Sequence, residues 1–329
     1  MKKIWIGSLF VLPVLSLICY TVALGQAMHP PIAIYIPQRV YDSNEKRYSD
    51  FESMLLELSR ADVVFVGEQH NDPATHRLER AILEGLARRR SDIMVALEMF
   101  ERDVQPSLDE YLSGRKSEED FLNNARPWPG YLSDYRPLVE LARLHNWRVI
   151  ASNVPRRYAS QVSKEGMAAI DGVPAAERKL IAAQFQCPFD DYFKRFSQVM
   201  GGHPGPADGE ADQDKKQKEE QRETIERYYY AQCIKDETMA ESIAEQLQLT
   251  ENGSPKPLVV HFNGTFHSDY HEGAAARISR RIPKSKVKVV TIVPLEDLDA
   301  IKTDEYRKRG DYIIFSLKPA GSLSTQKAE

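Results

Sequence analysis

Apolar and polar positions follow two rhythms along this chain. Short apolar runs recur at residues 62–66, 93–97, 148–151, 258–262, 287–293 and 312–317. Predominantly apolar runs of that length suit strands buried on both faces of a parallel sheet. Between them the period lengthens. Leu78, Ile82 and Leu86 stand at i, i+4 and i+8, which predicts a helix over 73–89. Asp72 is placed to cap it, and Pro73 to occupy its first position. Further helices are expected at 103–112, 117–123 and 134–145. The alternation predicts an α/β fold: a mainly parallel sheet with flanking helices and right-handed crossovers. Residues 312–317 are expected to close the sheet at an edge.

The alternation breaks over residues 155–249, which read as helices at 175–184, 189–200 and 221–247 without strands. Met239, Ile243 and Leu247 form the apolar stripe of the last. The segment is expected to be a helical subdomain inserted between sheet strands. Within it, residues 201–220 are rich in glycine, proline and charge and are expected to be a disordered loop.

The first 25 residues stand apart from the single domain expected over 26–329. Lys2 and Lys3 precede an uncharged apolar run, and Ala23 and Gly25 hold the −3 and −1 positions of a cut before Gln26. This is the layout of a secretory signal peptide, and Pro13 favours it over a retained membrane anchor. Cys19 follows the bulky Ile18, a poor lipidation context. The expectation is export to the periplasm or association with the outer membrane. Attachment to a membrane would require a lipidated Cys19 or an uncleaved signal.

Composition narrows the picture. The chain has 329 residues, 42% hydrophobic and 28% charged, with a net charge of −4. That is a globular mixture, and it lacks the dense basic surface of a nucleic-acid binder. Cys187 and Cys233 remain after the leader and form either one disulfide or two separate thiols. Neither lies in a zinc-ribbon spacing.

Candidate chemistry gathers at strand ends. Residues 62–66 lead into Gly67-Glu68-Gln69-His70, residues 93–97 end at Glu98, and residues 258–262 lead into Asn263-Gly264-Thr265-Phe266-His267. In an open α/β sheet, ligands bind outside the carboxyl ends of the strands. Glu68, His70, Glu98 and His267 are therefore expected to converge on one crevice, with Asn153 able to join them. Each histidine closes a Gly-x-x-His tetrapeptide, where glycine is expected to let the backbone turn sharply. Imidazole plus carboxylate suits a divalent metal or general acid–base catalysis. His76, at helical spacing from Asp72, could face the same site, though its spacing favours a first-turn surface residue; His203 and His271 read as loop residues. There is no nucleophile elbow, Walker A loop or Gly-x-Gly-x-x-Gly fingerprint.

Val66-Gly67-Glu68-Gln69-His70, Ala96-Leu97-Glu98-Met99-Phe100, Ala151-Ser152-Asn153-Val154-Pro155-Arg156, Asp236-Glu237-Thr238-Met239-Ala240 and the segment from His261 to His267 occur in that order. Together they resemble the ChaN-like family of exported haem-binding proteins. The resemblance implies haem held by a tyrosine, two haems stacked between the subunits of a homodimer, and a part in haem or iron uptake. The wider superfamily includes Tiki-type metal-dependent peptidases and erythromycin esterases, which share the paired Gly-x-x-His segments. By that likeness His70, Glu98 and His267 would be metal-site residues for Mn, Zn or Co. They would serve catalysis with Glu68 if the chain is a hydrolase. Tyr228, Tyr229, Tyr230 and Tyr158 are the candidate haem ligands. Three consecutive helical positions point in different directions, so they cannot all touch one ligand.

Overall fold

The structure is a computed structural model that describes residues 35–201, 212–249 and 256–318. The leader with Cys19, and His203, lie outside the described residues. In chain order the elements are β1 (Gln38–Asp42), β2 (Arg47–Ser49), α1 (Phe51–Leu58), β3 (Val63–Glu68), α2 (Pro73–Ala87), β4 (Ile93–Glu101), α3 (Gln105–Leu112), α4 (Glu118–Ala125), α5 (Arg136–Leu144), β5 (Arg148–Asn153), α6 (Arg156–Glu165), α7 (Asp191–Val199), α8 (Asp212–Leu249), β6 (Leu258–Gly264), α9 (Gly273–Arg281), β7 (Val287–Leu295) and β8 (Tyr312–Leu317). Asp72 caps α2 as expected, accepting from the Thr75 backbone N–H.

The eight strands form one sheet in the order β2-β1-β8-β7-β3-β6-β4-β5. From β8 to β5 every pairing is parallel. β1 runs antiparallel to β8 and to β2. This corrects the expected place of residues 312–317: β8 is interior, because the β1–β2 hairpin pairs along its outer side. Asp42 fixes that hairpin's turn by accepting from the Asn44 and Glu45 backbone N–H groups. Strand β6 returns between β3 and β4, so three strand ends with polar extensions become neighbours.

Strand alternation divides the interior into two layers. Val64 and Val66 pack with Leu78, Ile82, Leu83, Leu138 and others beneath α1 to α5. Val63 and Phe65 pack on the opposite face against Met239, Ile243 and Leu247 of α8 and Ile278 of α9. Burying each such side chain contributes roughly 1.5–3 kcal/mol.

Between β5 and β6 the described residues hold helices and turns only, with α6, α7 and α8 as the main pieces. The helix expected at 175–184 is reduced to a single 3₁₀ turn, Arg178–Leu180. Side chains of α8 capture the N–H groups that would have continued it. Ala182 donates to Thr238 Oγ1 at 3.2 Å, Ala183 to Glu241 at 2.9 Å, and Gln186 to Glu237 at 2.9 Å. The part of the expected loop from Asp212 to Glu220 belongs to α8, and residues 202–211 lie outside the described residues. The pairs Lys216–Glu220 and Arg222–Glu226, at i, i+4, support this polar stretch as helix. Cys187 and Cys233 are joined as a disulfide, tying the segment before α7 to the middle of α8. Among the described residues no helix is long and apolar enough to cross a membrane.

Glu237 anchors α8 to α9. It is wholly buried and receives Arg280 and Arg281 at 2.6 Å each and Arg277 at 3.3 Å. Removing one partner of a buried ion cluster strands the others, at a cost of about 3–5 kcal/mol. Glu237→Ala is therefore expected to lower the unfolding free energy by about that amount in urea titration. A loss under about 1 kcal/mol would mean that the three arginines find other partners.

Candidate functional site

Each expected strand-end residue lies at the carboxyl edge of the sheet. Glu68, in line with Val64 and Val66, serves the face covered by α2. Glu98, in line with Ala96, serves the face covered by α8. Gly264 lies between them. Its N–H donates to Glu98 Oε2 at 2.8 Å, and a Cβ on it would stand 2.8 Å from His70 Nε2. Neither Gly67 nor Gly264 has a positive φ. The glycine of each Gly-x-x-His is thus required for space and not, as expected, for a sharp turn. At Gly67 a Cβ would press on Ser268 and Thr265 at 3.2 Å.

On the α2 side, Glu68 Oε1 receives His70 Nδ1 at 2.5 Å and the Tyr135 hydroxyl at 2.7 Å. His70 is fixed through Nδ1, leaving Nε2 directed over Gly264 beside Glu98. Trp128 packs edge-on against its ring, with centroids 5.1 Å apart. Burial opposes charge on His70, but the Glu68 bond and the Glu98 charge outweigh it and raise its pKa.

On the α8 side, His267 is held between two carboxylates, Asp236 at Nδ1 (2.6 Å) and Glu98 at Nε2 (3.1 Å). Burial works against the imidazolium, yet these two charges push His267 up to about 9. Burial would likewise raise Glu98, but the His267 cation holds it well below the carboxylate range. Asn153 donates to the Glu98 carbonyl at 3.0 Å and so positions its backbone. His271 is half exposed, 3.4 Å from Asp311.

Further participants join them. His76 is buried, so the favoured surface placement gives way to the alternative that it faces the site. Its Nδ1 faces Glu79 at 2.9 Å and its Nε2 the His70 carbonyl at 3.0 Å. Burial, and then the charge of Glu68, push Glu79 well above the carboxylate range. Asp236 supports His267 and also accepts from the Tyr192 hydroxyl at 2.8 Å. His261, inside the sheet, is lowered by burial to about 4 and meets Ser152 at 3.1 Å.

The candidate tyrosines differ in exposure. Tyr229 is fully buried, its hydroxyl donating to the Pro188 carbonyl at 2.6 Å. Tyr158 is buried beside Arg157 and bonds Glu177. Tyr230 is half-buried, and Tyr228 is 41% exposed on α8. A further tyrosine comes forward. Tyr270, three residues past His267, lines a cavity of about 430 Å³ together with Tyr192, Phe266 and Tyr306, Arg195 and Arg309, and the carboxylates Asp269, Glu272 and Glu305. Arg195 lies 4.5 Å from the Tyr270 ring centroid. The Tyr270 backbone has φ 62, sparsely used by non-glycine residues and concentrated at functional sites.

The His267 cluster makes stability depend on pH in a definite direction. The folded pKa of about 9 exceeds the ordinary 6.5, so the stabilisation is complete below pH 6.5 and lost as pH rises through 9. Wild-type unfolding free energy is expected to fall by about 3 kcal/mol over that window, and His267→Gln to flatten the fall. Equal slopes in urea titrations of the two proteins would contradict the caged imidazolium.

Comparison with known proteins places the chain in a family. The family model described as "Haem-binding uptake, Tiki superfamily, ChaN" matches residues 54–278. Protein RETICULATA-RELATED 5, chloroplastic, of Arabidopsis thaliana is 27% identical over 281 residues, covering 79% of this chain and 35% of that protein. The chain thus spans about a third of that relative's length. ChaN of Campylobacter jejuni, in a structure described as cofacial haem binding, aligns with a TM-score of 0.58 at 18% identity, covering 85% of this chain and 96% of that one. An erythromycin esterase, EreC, in its open conformation aligns at 0.43 and 12% identity, covering 86% and 83%. The match over most of its length makes this chain a member of the ChaN family of the haem-binding uptake, Tiki superfamily.

Proposed function

We propose that this protein binds haem in the cavity around Tyr270 and handles haem or iron after export. One observation carries the reading: in a family named for haem binding, a partly exposed tyrosine stands in a cavity lined by aromatic rings and by two arginines paired with carboxylates. Tyrosine is a known axial ligand of haem iron. Aromatic walls suit the porphyrin faces, and guanidinium groups suit its propionates. The residues present therefore fit the group. Tyr270 would hold the iron, and Tyr192 and Phe266 would pack against the ring. Arg195 and Arg309 are engaged with Glu272 and Asp269, which fixes their positions. Val199, on the cavity wall, is 73% exposed. It offers an apolar edge for a second subunit, in keeping with the cofacial haems of the Campylobacter jejuni protein. The Cys187–Cys233 disulfide favours an oxidising compartment, in keeping with a cleaved leader and a periplasmic or outer-membrane location.

A second reading, hydrolysis assisted by a divalent metal at the strand ends, draws on His70. Glu68 fixes its Nδ1, so Nε2 is aimed at the crevice beside Glu98, as a general base or metal ligand requires. The two readings use different residues.

Ferric haem titration of the mature protein distinguishes them. A tyrosinate-type spectrum is expected at about one haem per subunit, with sedimentation shifting from monomer to dimer. Tyr270→Phe is expected to abolish it, while phenylalanine at Tyr228, Tyr229, Tyr230 or Tyr158 leaves it in place. His70→Ala is expected to retain the haem spectrum. Loss in His70→Ala with every tyrosine variant unchanged would move the haem to the crevice and overturn the assignment.

A further inference from the structure

We propose that Glu68, His76 and Glu79 form a binding site for one divalent transition-metal ion beneath the strand-end crevice. Among the described residues, these three present one ligand atom each within 4.8 Å of one another. All three are buried, with exposures of 1%, 4% and 0%.

The hydrogen-bond accounting points inward. The His70 carbonyl can only accept, so His76 Nε2, 3.0 Å away, carries the hydrogen. That turns Nδ1 toward Glu79 Oε2 at 2.9 Å and Glu68 Oε2 at 3.7 Å. Glu68 Oε1 is taken by His70 and Tyr135, which leaves Oε2 no partner outside the trio, only the Glu79 carboxyl. Glu79 Oε1 likewise has none outside it. Two buried carboxyl groups and an imidazole thus converge on one buried point. Leaving such groups uncompensated costs several kcal/mol.

A metal answers all of these demands together. Bonds of about 2.0–2.2 Å to nitrogen and oxygen allow ligand atoms up to roughly 4.2 Å apart, so the cluster needs only a small contraction. A histidine that ligates through one nitrogen ordinarily donates the other N–H to a carbonyl or carboxylate, as His76 does to His70. The mixed nitrogen and oxygen set suits Zn²⁺, Co²⁺ or Mn²⁺, whereas Ca²⁺ and Mg²⁺ favour all-oxygen shells. The site differs from the His70, Glu98 and His267 set of the hydrolytic reading and does not depend on haem. Its competitor is a proton shared between Glu68 and Glu79.

The test uses haem-free, chelator-stripped full-length protein titrated with Zn²⁺ and, separately, Co²⁺. One tightly bound equivalent is expected, with visible Co²⁺ bands, and X-ray absorption at the zinc edge should count one imidazole. Glu79→Gln and His76→Gln are each expected to weaken binding at least tenfold, while His267→Ala retains it. The glutamine at 79 can still donate to Glu68, so the variant should stay folded by circular dichroism. Should both variants misfold, the imidazole count in the wild type decides. No binding of Zn²⁺ at micromolar concentration would favour the shared proton and overturn the proposal. Undiminished binding by Glu79→Gln, equal loss in His267→Ala, or two imidazoles around the ion would overturn it too.

Discussion

Two adjacent buried carboxylates on α8, Asp236 and Glu237, hold this structure in register. Neighbouring helical residues point about 100° apart, so the pair reaches in two directions. Asp236 reaches the strand end, where it secures His267 and Tyr192. Glu237 reaches α9, where three arginines close on it. Neither carboxylate could be desolvated without these partners. The two carboxylates therefore tie the helical layer to the strand-end site and to α9 at one level of α8. The disulfide at Cys233, one turn earlier on α8, adds a covalent tie at the same level.

Much of the fold was legible because buried parallel strands and amphipathic helices write themselves as rhythm. Six of the eight strands announce themselves as apolar runs, and α2 carries its cap and its stripe. The β1–β2 hairpin does not, because Arg47–Ser49 is short and largely exposed. Missing it also misplaced β8. The helix expected at 175–184 failed for a reason that no local pattern carries: the N–H groups of Ala182 and Ala183 are taken by side chains more than fifty residues away.

The candidate site was half legible, and the boundary is instructive. Glu68, His70, Glu98 and His267 stand out because each abuts an apolar run. Glu79 and Asp236 do not, yet both leave a trace. His76, Glu79, Leu83 and Leu86 follow helical spacing, as do Tyr229, Cys233, Asp236, Ala240 and Ile243. An acid set on an otherwise apolar stripe is a buried acid, and a buried acid needs a partner. Tyr270 could not be read this way, because its significance lies in a backbone bend and a cavity that only the folded chain possesses.

Strand parity has a longer reach than its role in packing. The two strand-end carboxylates face opposite layers, yet His70, bonded to Glu68 and aimed over Gly264 beside Glu98, is reached by both. A substitution that displaces His70 is therefore felt on both sides of the sheet. A one-residue insertion or deletion within β3 or β4 is another matter, since it would exchange faces and present an acid to a layer with no partner for it. The lengths of β3 and β4 are thus held by the charges at their ends as much as by the packing along them.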